Sequence, residues 1–481
     1  MHLVTEMEGS GLMVLETDLL ILGGGTGGYV AAIHAAKQGQ EVVIVEKEQL
    51  GGTCLHRGCI PTKALLRSAE VYDTVKRADE FGISSGEAGF DFLKVQTRKE
   101  KIVEQLHQGV ESLCKKNKIK IYHGEGAILG PSIFSPVSGA VAITFPDLDE
   151  EELIIVPKKL IIATGSSPRT LPNVEIDETS ILTSNGMLNL QKLPEKMAVI
   201  GGGVIGVEWA SLLNSFGVDV TIIEYAERLV INESESIAKE LQKQFEQRGI
   251  HVVTQAAVKS ATVEAEKVQI ELGDQNVMVF DKVMVAVGRT PNVMGIGLQN
   301  TSVRFNDRGI MVNDYYQTTE SHIYAIGDCI DTLQLAHVAA KEGEIAVCHL
   351  LGKTVPPLNY QDIPKSTYTQ PEIASIGYHA SNFPEHMKVN VGKFHFRGNG
   401  KSLIYGEAEG FVEVLRDTET DDLIGVSIIG PHATELISEA TASIYLNASA
   451  LELSDIVHAH PTMSETLMEA ALDTYGLAIH K

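Results

Sequence analysis

Leu19-Leu20-Ile21-Leu22-Gly23-Gly24-Gly25-Thr26-Gly27-Gly28 runs from an apolar segment into a glycine-rich turn, and after a small-residue segment comes a second apolar run, Val42-Val43-Ile44-Val45-Glu46. Short apolar runs bounded by glycine read as buried strands, so residues 17–46 are expected to form strand, turn, helix and strand. In that setting Gly23, Gly25 and Gly28 satisfy G-x-G-x-x-G. The first glycine makes the tight turn, the second lets the backbone approach a pyrophosphate at the helix N-terminus, and the third lets helix and strand pack closely. Glu46, 18 residues beyond Gly28, is placed to accept hydrogen bonds from an adenosine ribose. The stretch therefore specifies a dinucleotide-binding α/β unit.

The unit occurs twice. Residues 21–46 align without a gap to 199–224 at an offset of 178, matching Gly23, Gly25, Gly28, Gly39 and Glu46 to Gly201, Gly203, Gly206, Gly217 and Glu224. Two adenine dinucleotides are expected, one for each copy. An acid at the strand end favours NAD over NADP, and Tyr225 and Ala226 after Glu224 add no positive charge for an extra phosphate, although Arg228 is close by. Val30 of the first copy becomes Glu208 in the second. A carboxylate there would repel pyrophosphate, so Glu208 is expected to point elsewhere.

The first copy leads into Gly51-Gly52-Thr53-Cys54-Leu55-His56-Arg57-Gly58-Cys59-Ile60-Pro61-Thr62-Lys63. In a regular helix the Cα atoms of two cysteines five apart lie roughly 8–9 Å from each other. A disulfide wants about 4.4–6.8 Å, so a bridge requires a bent segment. Gly58 and the glycines before Thr53 permit the bend, and Pro61 suits the first turn of a helix starting near Ile60. A thiolate at that helix start would be stabilised by unpaired N–H groups. Two packed thiols or half a zinc site are the competing readings, but no second ligand pair with zinc-like spacing exists in the chain.

Gly-Gly-Thr-Cys-x4-Cys-Ile-Pro-Thr-Lys resembles the redox motif of the flavin-dependent disulfide oxidoreductases (class I pyridine nucleotide-disulfide oxidoreductases), and among them the dihydrolipoamide dehydrogenase family. The resemblance covers nearly the whole chain from Asp18 onward. It implies two Rossmann-like domains, FAD on the first copy and NAD on the second, plus a C-terminal α+β dimerisation domain. The implied boundaries are residues 1–158 for the first part of the FAD domain, with 1–14 a flexible tail. The NAD domain follows at 159–287, the second part of the FAD domain at 288–357, and the dimerisation domain at 358–481.

The resemblance also carries site roles. Cys54 and Cys59 would form the redox disulfide, and Lys63 and Glu208 an ion pair beside the flavin and nicotinamide rings. Lys47, Gly52, Thr53, Gly126, Thr164, Gly165, Gly327, Asp328 and Ala336 would join Gly23, Gly25, Gly28 and Glu46 around FAD. Val258 and Gly288 would join Gly201, Gly203, Gly206 and Glu224 around NAD. Leu160–Gly165 would carry the chain out of the flavin domain, and Val283–Asn292 would close the NAD domain. Thr26 stands where proline is often found.

From about Leu358 the texture changes to β-like runs, followed by helices near His432–Leu446 and Met463–Ala471, with no third dinucleotide signature. Near the end stands His458-Ala459-His460-Pro461-Thr462-Met463-Ser464-Glu465. Thr462 and Glu465 read as a capping box opening a helix. A carboxylate near an imidazole also fixes one tautomer and raises the basicity of the other nitrogen. By resemblance, His460 would be the acid/base acting on the disulfide of the opposite subunit of a homodimer, and Glu465 its orienter. His458 is expected to be structural.

Composition sets outer limits. At 481 residues the chain is expected to split into several domains. A formal charge of −24 argues against nucleic-acid or anionic-membrane partners. Five cysteines, an odd and sparse set, do not make a secreted disulfide scaffold. The first 18 residues carry Glu6, Glu8, Glu16 and Asp18 and no Lys or Arg, so a cytoplasmic location is expected. The function the resemblance implies is that of a dihydrolipoyl dehydrogenase, the E3 component of a 2-oxo-acid dehydrogenase complex, whose partner would be the lipoyl domain of an acyltransferase (E2) component. Glutathione-type or mercuric reductases, a flavoprotein oxidase and a noncatalytic docking subunit are the alternatives.

Overall fold

The computed structural model describes residues 13–131, 137–145 and 152–481. Of the flexible tail expected at 1–14, residues 1–12 lie outside this range, while Met13 and Val14 already belong to the first strand, Met13–Leu22. The chain divides into two compact units. One comprises the described parts of Met1–Ala64 and Lys94–Arg169 with Arg289–Leu358; the other comprises Leu65–Leu93, Thr170–Gly288 and Asn359–Lys481.

The first unit is built on a seven-stranded sheet. At its centre Met13–Leu22 pairs in parallel with Val42–Glu46 on one side and Glu152–Ile162 on the other. Leu19, Leu20, Ile21, Leu160, Ile161 and Ile162 are fully buried, which is why these strands read as unbroken apolar runs. Helices Thr26–Lys37 and Ala336–Leu350 pack together against the sheet, and Gly27 allows the approach, since a Cβ there would lie 3.0 Å from the Ala339 carbonyl oxygen.

The runs read separately as 153–157 and 160–165 form one strand, Glu152–Ile162, which passes through the expected domain switch at 158–159. Pro157 is tolerated within it because that edge is unpaired there: Val141–Thr144 pairs residues 152–155 and Ile323–Ala325 pairs 160–162.

The second unit holds two larger sheets. The repeat copy forms a five-stranded sheet with strands Lys196–Ile200, Asp219–Ile223 and Lys282–Val285 near its centre, and helix Val204–Ser215 follows the second glycine turn. The C-terminal sheet is antiparallel, in the order Lys365–Thr367, Glu372–Gly377, Leu423–Gly430, Phe411–Asp417, Val389–His395. Helices Ala433–Tyr445 and Glu465–Asp473 bury Ile437, Ala440, Leu467 and Ala470 against it. Among the described residues no helix is long and apolar enough to cross a membrane.

Candidate active site

The cysteine segment is stitched onto the first glycine turn. The Gly51 N–H donates to the Gly24 carbonyl at 2.8 Å, and Gly25 and Gly51 form a parallel bridge. Gly52 (φ 58°) packs so tightly that a Cβ on it would lie 2.7 Å from Gly25 Cα. Helix Gly52–His56 then carries Thr53 and Cys54, stops at Arg57, and a new helix opens at Cys59, running to Lys76. Gly58 makes the break possible, because a Cβ there would press within 3.0 Å of the Thr53 carbonyl oxygen. The bend required by the spacing is therefore present, with the second helix starting one residue earlier than read.

The Cys54 and Cys59 side chains are hydrogen-bonded to each other. Cys54 is half-buried and Cys59 exposed. The Cys54 thiol is pushed far above the ordinary cysteine range, first by the bond to Cys59, then by burial and by the Cys59 charge. Two sulfurs sharing one site cannot both ionise cheaply. The Thr26 hydroxyl and the Lys63 charge act in the opposite direction. The helix-start stabilisation expected for a thiolate thus does not extend to Cys54, which sits in the shorter helix. Of the remaining cysteines, Cys114 and Cys329 are buried, and half-buried Cys348 lies 3.5 Å from His34 Nε2.

The two glycine turns share one geometry. Gly23 and Gly201 have φ of 108° and 111°, and a Cβ on either would sit 2.3 Å from a backbone oxygen, that of Ala163 or Ala286. Gly28 and Gly206 would clash with the Gly23 and Gly201 oxygens at 2.0 and 1.9 Å. At the middle glycines there is room. Gly203 has nothing within 4 Å, and Gly25 has only Gly52 Cα at 3.9 Å. Gly25 and Gly203 are the N-caps of their helices; neither helix has a side-chain cap or an acid in its first turn. Helix Glu235–Gln247, by contrast, is capped by Ser234 and begins with an acid.

Glu46 accepts the Gly24 and Glu48 N–H groups at 2.7 and 2.8 Å, and Glu224 accepts those of Gly202 and Ala226. The acids therefore also fix the turns, with lone pairs to spare. Lys47 beside Glu46 is exposed. Gly126 lacks a side chain for a packing reason, since its Cβ would lie 2.5 Å from Leu22. Gly165 (φ 70°) and Gly288 (φ 111°) face open space, and Val258 packs against the second sheet's core. Lys63 lies on the Cys59–Lys76 helix, half-buried. Glu208 is buried on helix Val204–Ser215 and accepts the Tyr368 N–H at 2.9 Å.

Sequence reasoning singled out Asp328 but missed its neighbours. Strands Ser166–Pro168 and Arg289–Pro291 pair antiparallel and bring Ser166 and Arg289 to it. Ser166 Oγ donates to Asp328 Oδ2 at 2.5 Å, and Arg289 Nε donates to Ser166 Oγ at 2.7 Å. Burial pulls the Arg289 guanidinium below its usual range while the charges of Asp328 and Cys59 support it. The Thr164 hydroxyl donates to the Asn292 carbonyl at 2.7 Å, and the Gly327 N–H to buried Glu342 at 2.6 Å. Ala336 is the first residue of a helix that again has no side-chain cap.

In the C-terminal segment His460 Nδ1 lies 2.9 Å from Glu465 Oε1, and Glu465 Oε2 accepts the Thr462 N–H at 2.9 Å. The expected capping box is only half present. The helix begins at Glu465, Ser464 is its N-cap, and the buried Thr462 hydroxyl has no hydrogen-bond partner. The carboxylate is spent on the histidine and the incoming chain instead. His458 is held by Glu439 at 2.6 Å with its ring nearly buried, whereas the His460 ring is 81% exposed.

Residues 17–343 match the pyridine nucleotide-disulphide oxidoreductase family and residues 363–471 its dimerisation domain, and the chain belongs to that family. It is 48% identical to a dihydrolipoyl dehydrogenase of Bacillus subtilis (strain 168) across 97% of this chain and 100% of that one. A second dihydrolipoyl dehydrogenase of the same strain is 41% identical across 96% and 99% of the two chains. The solved structure of LpdA (Rv3303c) from Mycobacterium tuberculosis superimposes with a TM-score of 0.88 at 26% identity, covering 95% of this chain and 99% of that one. Within its family the chain accordingly falls with the dihydrolipoyl dehydrogenases, NAD-dependent flavoproteins that use FAD and a redox-active disulfide.

Proposed function

We propose that this chain is the E3 component of a 2-oxo-acid dehydrogenase complex, reoxidising the dihydrolipoyl group carried by the lipoyl domain of an acyltransferase (E2) component in the cytoplasm. The observation that carries this reading is the contact of Cys54 with Cys59 across a helix break bridged to the first glycine turn. A sparse set of five cysteines with one close pair supports an intracellular setting.

The residues fit the two dinucleotides. Uncapped helix N-termini with a bare Cα in front of them offer N–H groups and positive dipole ends to a pyrophosphate. We assign FAD to the turn at Gly23, Gly25 and Gly28 with Glu46, and to Asp328 with its Ser166 and Arg289 neighbours. NAD is assigned to Gly201, Gly203, Gly206 and Glu224. Lys63 and Glu208 keep the charge roles beside the two rings that the resemblance implies. FAD bound there would supply the two-electron redox chemistry between the cysteine pair and NAD.

The chain's own residues perform the sulfur chemistry. Glu465 holds the Nδ1–H of His460, which leaves Nε2 as the base. His460 removes a proton from one substrate thiol, and the thiolate attacks Cys54 Sγ, breaking the Cys54–Cys59 bond and releasing Cys59 as a thiolate. The second substrate thiol gives up its proton to the medium and attacks the substrate sulfur bound to Cys54. The substrate disulfide closes, Cys54 departs, and the cysteine pair holds both electrons. The dimerisation domain pairs two copies of the chain, and His460 of one serves the cysteines of the other, as the resemblance implies.

His460→Gln tests the assignment. NAD reduction by dihydrolipoamide should fall by about 10²–10⁴-fold, with bound FAD and NADH oxidation by ferricyanide retained. Unchanged dihydrolipoamide turnover would remove the base role.

A further inference from the structure

Helix Val204–Ser215 follows the second glycine turn and is buried along most of its length, yet three of its buried side chains are polar: Glu208, Ser211 and Ser215. Spaced i, i+3 and i+7, they share one face of the helix. Polar atoms buried in this way need partners, and a short loop and one arginine supply them. Strands Lys365–Thr367 and Glu372–Gly377 pair antiparallel, and residues 368–371 close the hairpin between them. The loop meets the helix through its backbone. The Tyr368 N–H donates to Glu208 Oε1 at 2.9 Å, and the Gln370 N–H donates to Ser211 Oγ at 3.0 Å. Arg248, the C-cap of helix Glu235–Gln247, braces the same loop. Its Nη1 donates to the Gln370 carbonyl at 2.7 Å and to Ser211 Oγ at 3.3 Å, and its Nη2 to Ser215 Oγ at 2.9 Å. Ser215 Oγ donates in turn to Asp73 Oδ2 at 2.6 Å.

We propose that Ser211 and Arg248 are positioning residues for the hydride exchange between flavin and nicotinamide: they hold the 368–371 loop so that its Tyr368 N–H fixes the Glu208 carboxylate. The inference rests on the reading that Glu208 carries its charge beside the two rings. In that exchange a hydrogen nucleus and two electrons pass together from the nicotinamide of NADH to the flavin, and no bond to Glu208 forms or breaks. What Glu208 contributes is a charge in a set place. A glutamate side chain has several free torsions, and an N–H in a loop holds it only as firmly as the loop itself is held. Gln370, two residues beyond Tyr368, is tied at both its N–H and its carbonyl. The bonds close a ring: from Glu208 to Tyr368, along the backbone to Gln370, across to Ser211 directly and through Arg248, and back along one turn of the helix. Members of such a network hold one another more firmly than isolated pairs do. Opening the ring leaves Glu208 on its helix but less well aimed, which acts on the hydride step rather than on NADH affinity.

The test uses FAD-loaded Ser211→Ala, Arg248→Met and Glu208→Gln enzymes, and combines each of the first two with Glu208→Gln. NADH is mixed anaerobically with excess enzyme, its single-turnover oxidation is followed by absorbance, and the dependence on enzyme concentration gives the Kd for NADH. Hydrogen exchange of the Tyr368 amide is followed by mass spectrometry on the same proteins without NADH. Ser211→Ala and Arg248→Met should each speed Tyr368 exchange by about tenfold. They should slow hydride transfer by about 10- to 100-fold, with the Kd for NADH unchanged. In the Glu208→Gln background neither should slow the step further, because groups that act through one another are not additive. Equal slowing in both backgrounds would mark a general structural role and overturn the proposal. If Arg248→Met does not fold, Ser211→Ala decides alone. A wild-type hydride rate in Glu208→Gln would overturn the charge role given to Glu208 itself, whereas a slow Glu208→Gln beside an unaffected Ser211→Ala overturns this proposal alone.

Discussion

Gly203→Ala separates the binding role of the second glycine turn from its folding role. Gly203 has φ −76° and ψ 179°, backbone that alanine adopts freely, and an added Cβ meets nothing within 4 Å. Removing a glycine at such a position restricts the unfolded chain, so stability should hold or rise by about 0.4–1 kcal/mol. The methyl group nevertheless stands in front of the uncapped helix N-terminus and holds a pyrophosphate off its N–H groups. Losing one hydrogen bond to a charged group costs about 1.5–3 kcal/mol, or roughly 10–150-fold in Kd. Gly206→Ala is the contrast, because its Cβ would lie 1.9 Å from the Gly201 oxygen and force helix and strand apart. That overpacking should cost about 1–3 kcal/mol or more, and it lowers Tm. The assay is fluorescence titration of each FAD-loaded variant with NADH, beside thermal melts. The reasoning is refuted if Gly203→Ala binds NADH like the wild type, or if it melts as early as Gly206→Ala.

Two further outcomes follow from charged groups in the second unit. Burial alone would raise the Glu465 carboxyl, but the Thr462 N–H, the bond and charge of His460 and the His458 charge hold it below the ordinary range. Glu465→Gln removes the carboxylate that holds His460 Nδ1, so kcat/KM for dihydrolipoamide should fall while NADH oxidation by ferricyanide is retained. The fall should be at most about tenfold, since the pair is exposed and screened by solvent, and an unchanged kcat/KM would sever Glu465 from His460. Burial pushes the Glu233 carboxyl from 4.5 up to about 7, against opposing effects of Ser375 and Lys365, and its Oε2 has no hydrogen-bond partner. A carboxyl raised by folding contributes stability that is complete below its unfolded pKa and lost as pH rises through the folded value. The loss amounts to about 3 kcal/mol at most between pH 4.5 and 7. Glu233→Gln should therefore be stabilised relative to the wild type at pH 8 but not at pH 4, as read by urea melts; parallel pH dependences would discard the argument.

The two glycine turns, the repeat that links them and the bend between Cys54 and Cys59 were legible in the order of the amino acids alone. Each rests on a local constraint: a φ only glycine takes easily, a clash one bond away, or the fixed rise of a helix. The helix at 465–473 shows where local pattern misled. Thr462 and Glu465 have capping-box spacing, but the carboxylate goes to His460 and the Thr462 N–H, and the Thr462 hydroxyl is left unpaired.

What gathers around the sulfurs and around Asp328 depends on contacts between distant parts of the folded chain. Arg289 and Ser166 meet because two three-residue strands more than 100 positions apart pair antiparallel, and neither strand has a periodicity to announce it. The cysteine segment lies against the first glycine turn because the Gly25 and Gly52 backbones abut, a closeness that glycine permits but does not itself dictate. Pro157 stays within a strand because two different neighbours leave a gap along that edge. Backbone conformation is written residue by residue, whereas the partner of a side chain depends on how distant strands close, and a linear pattern does not carry that information.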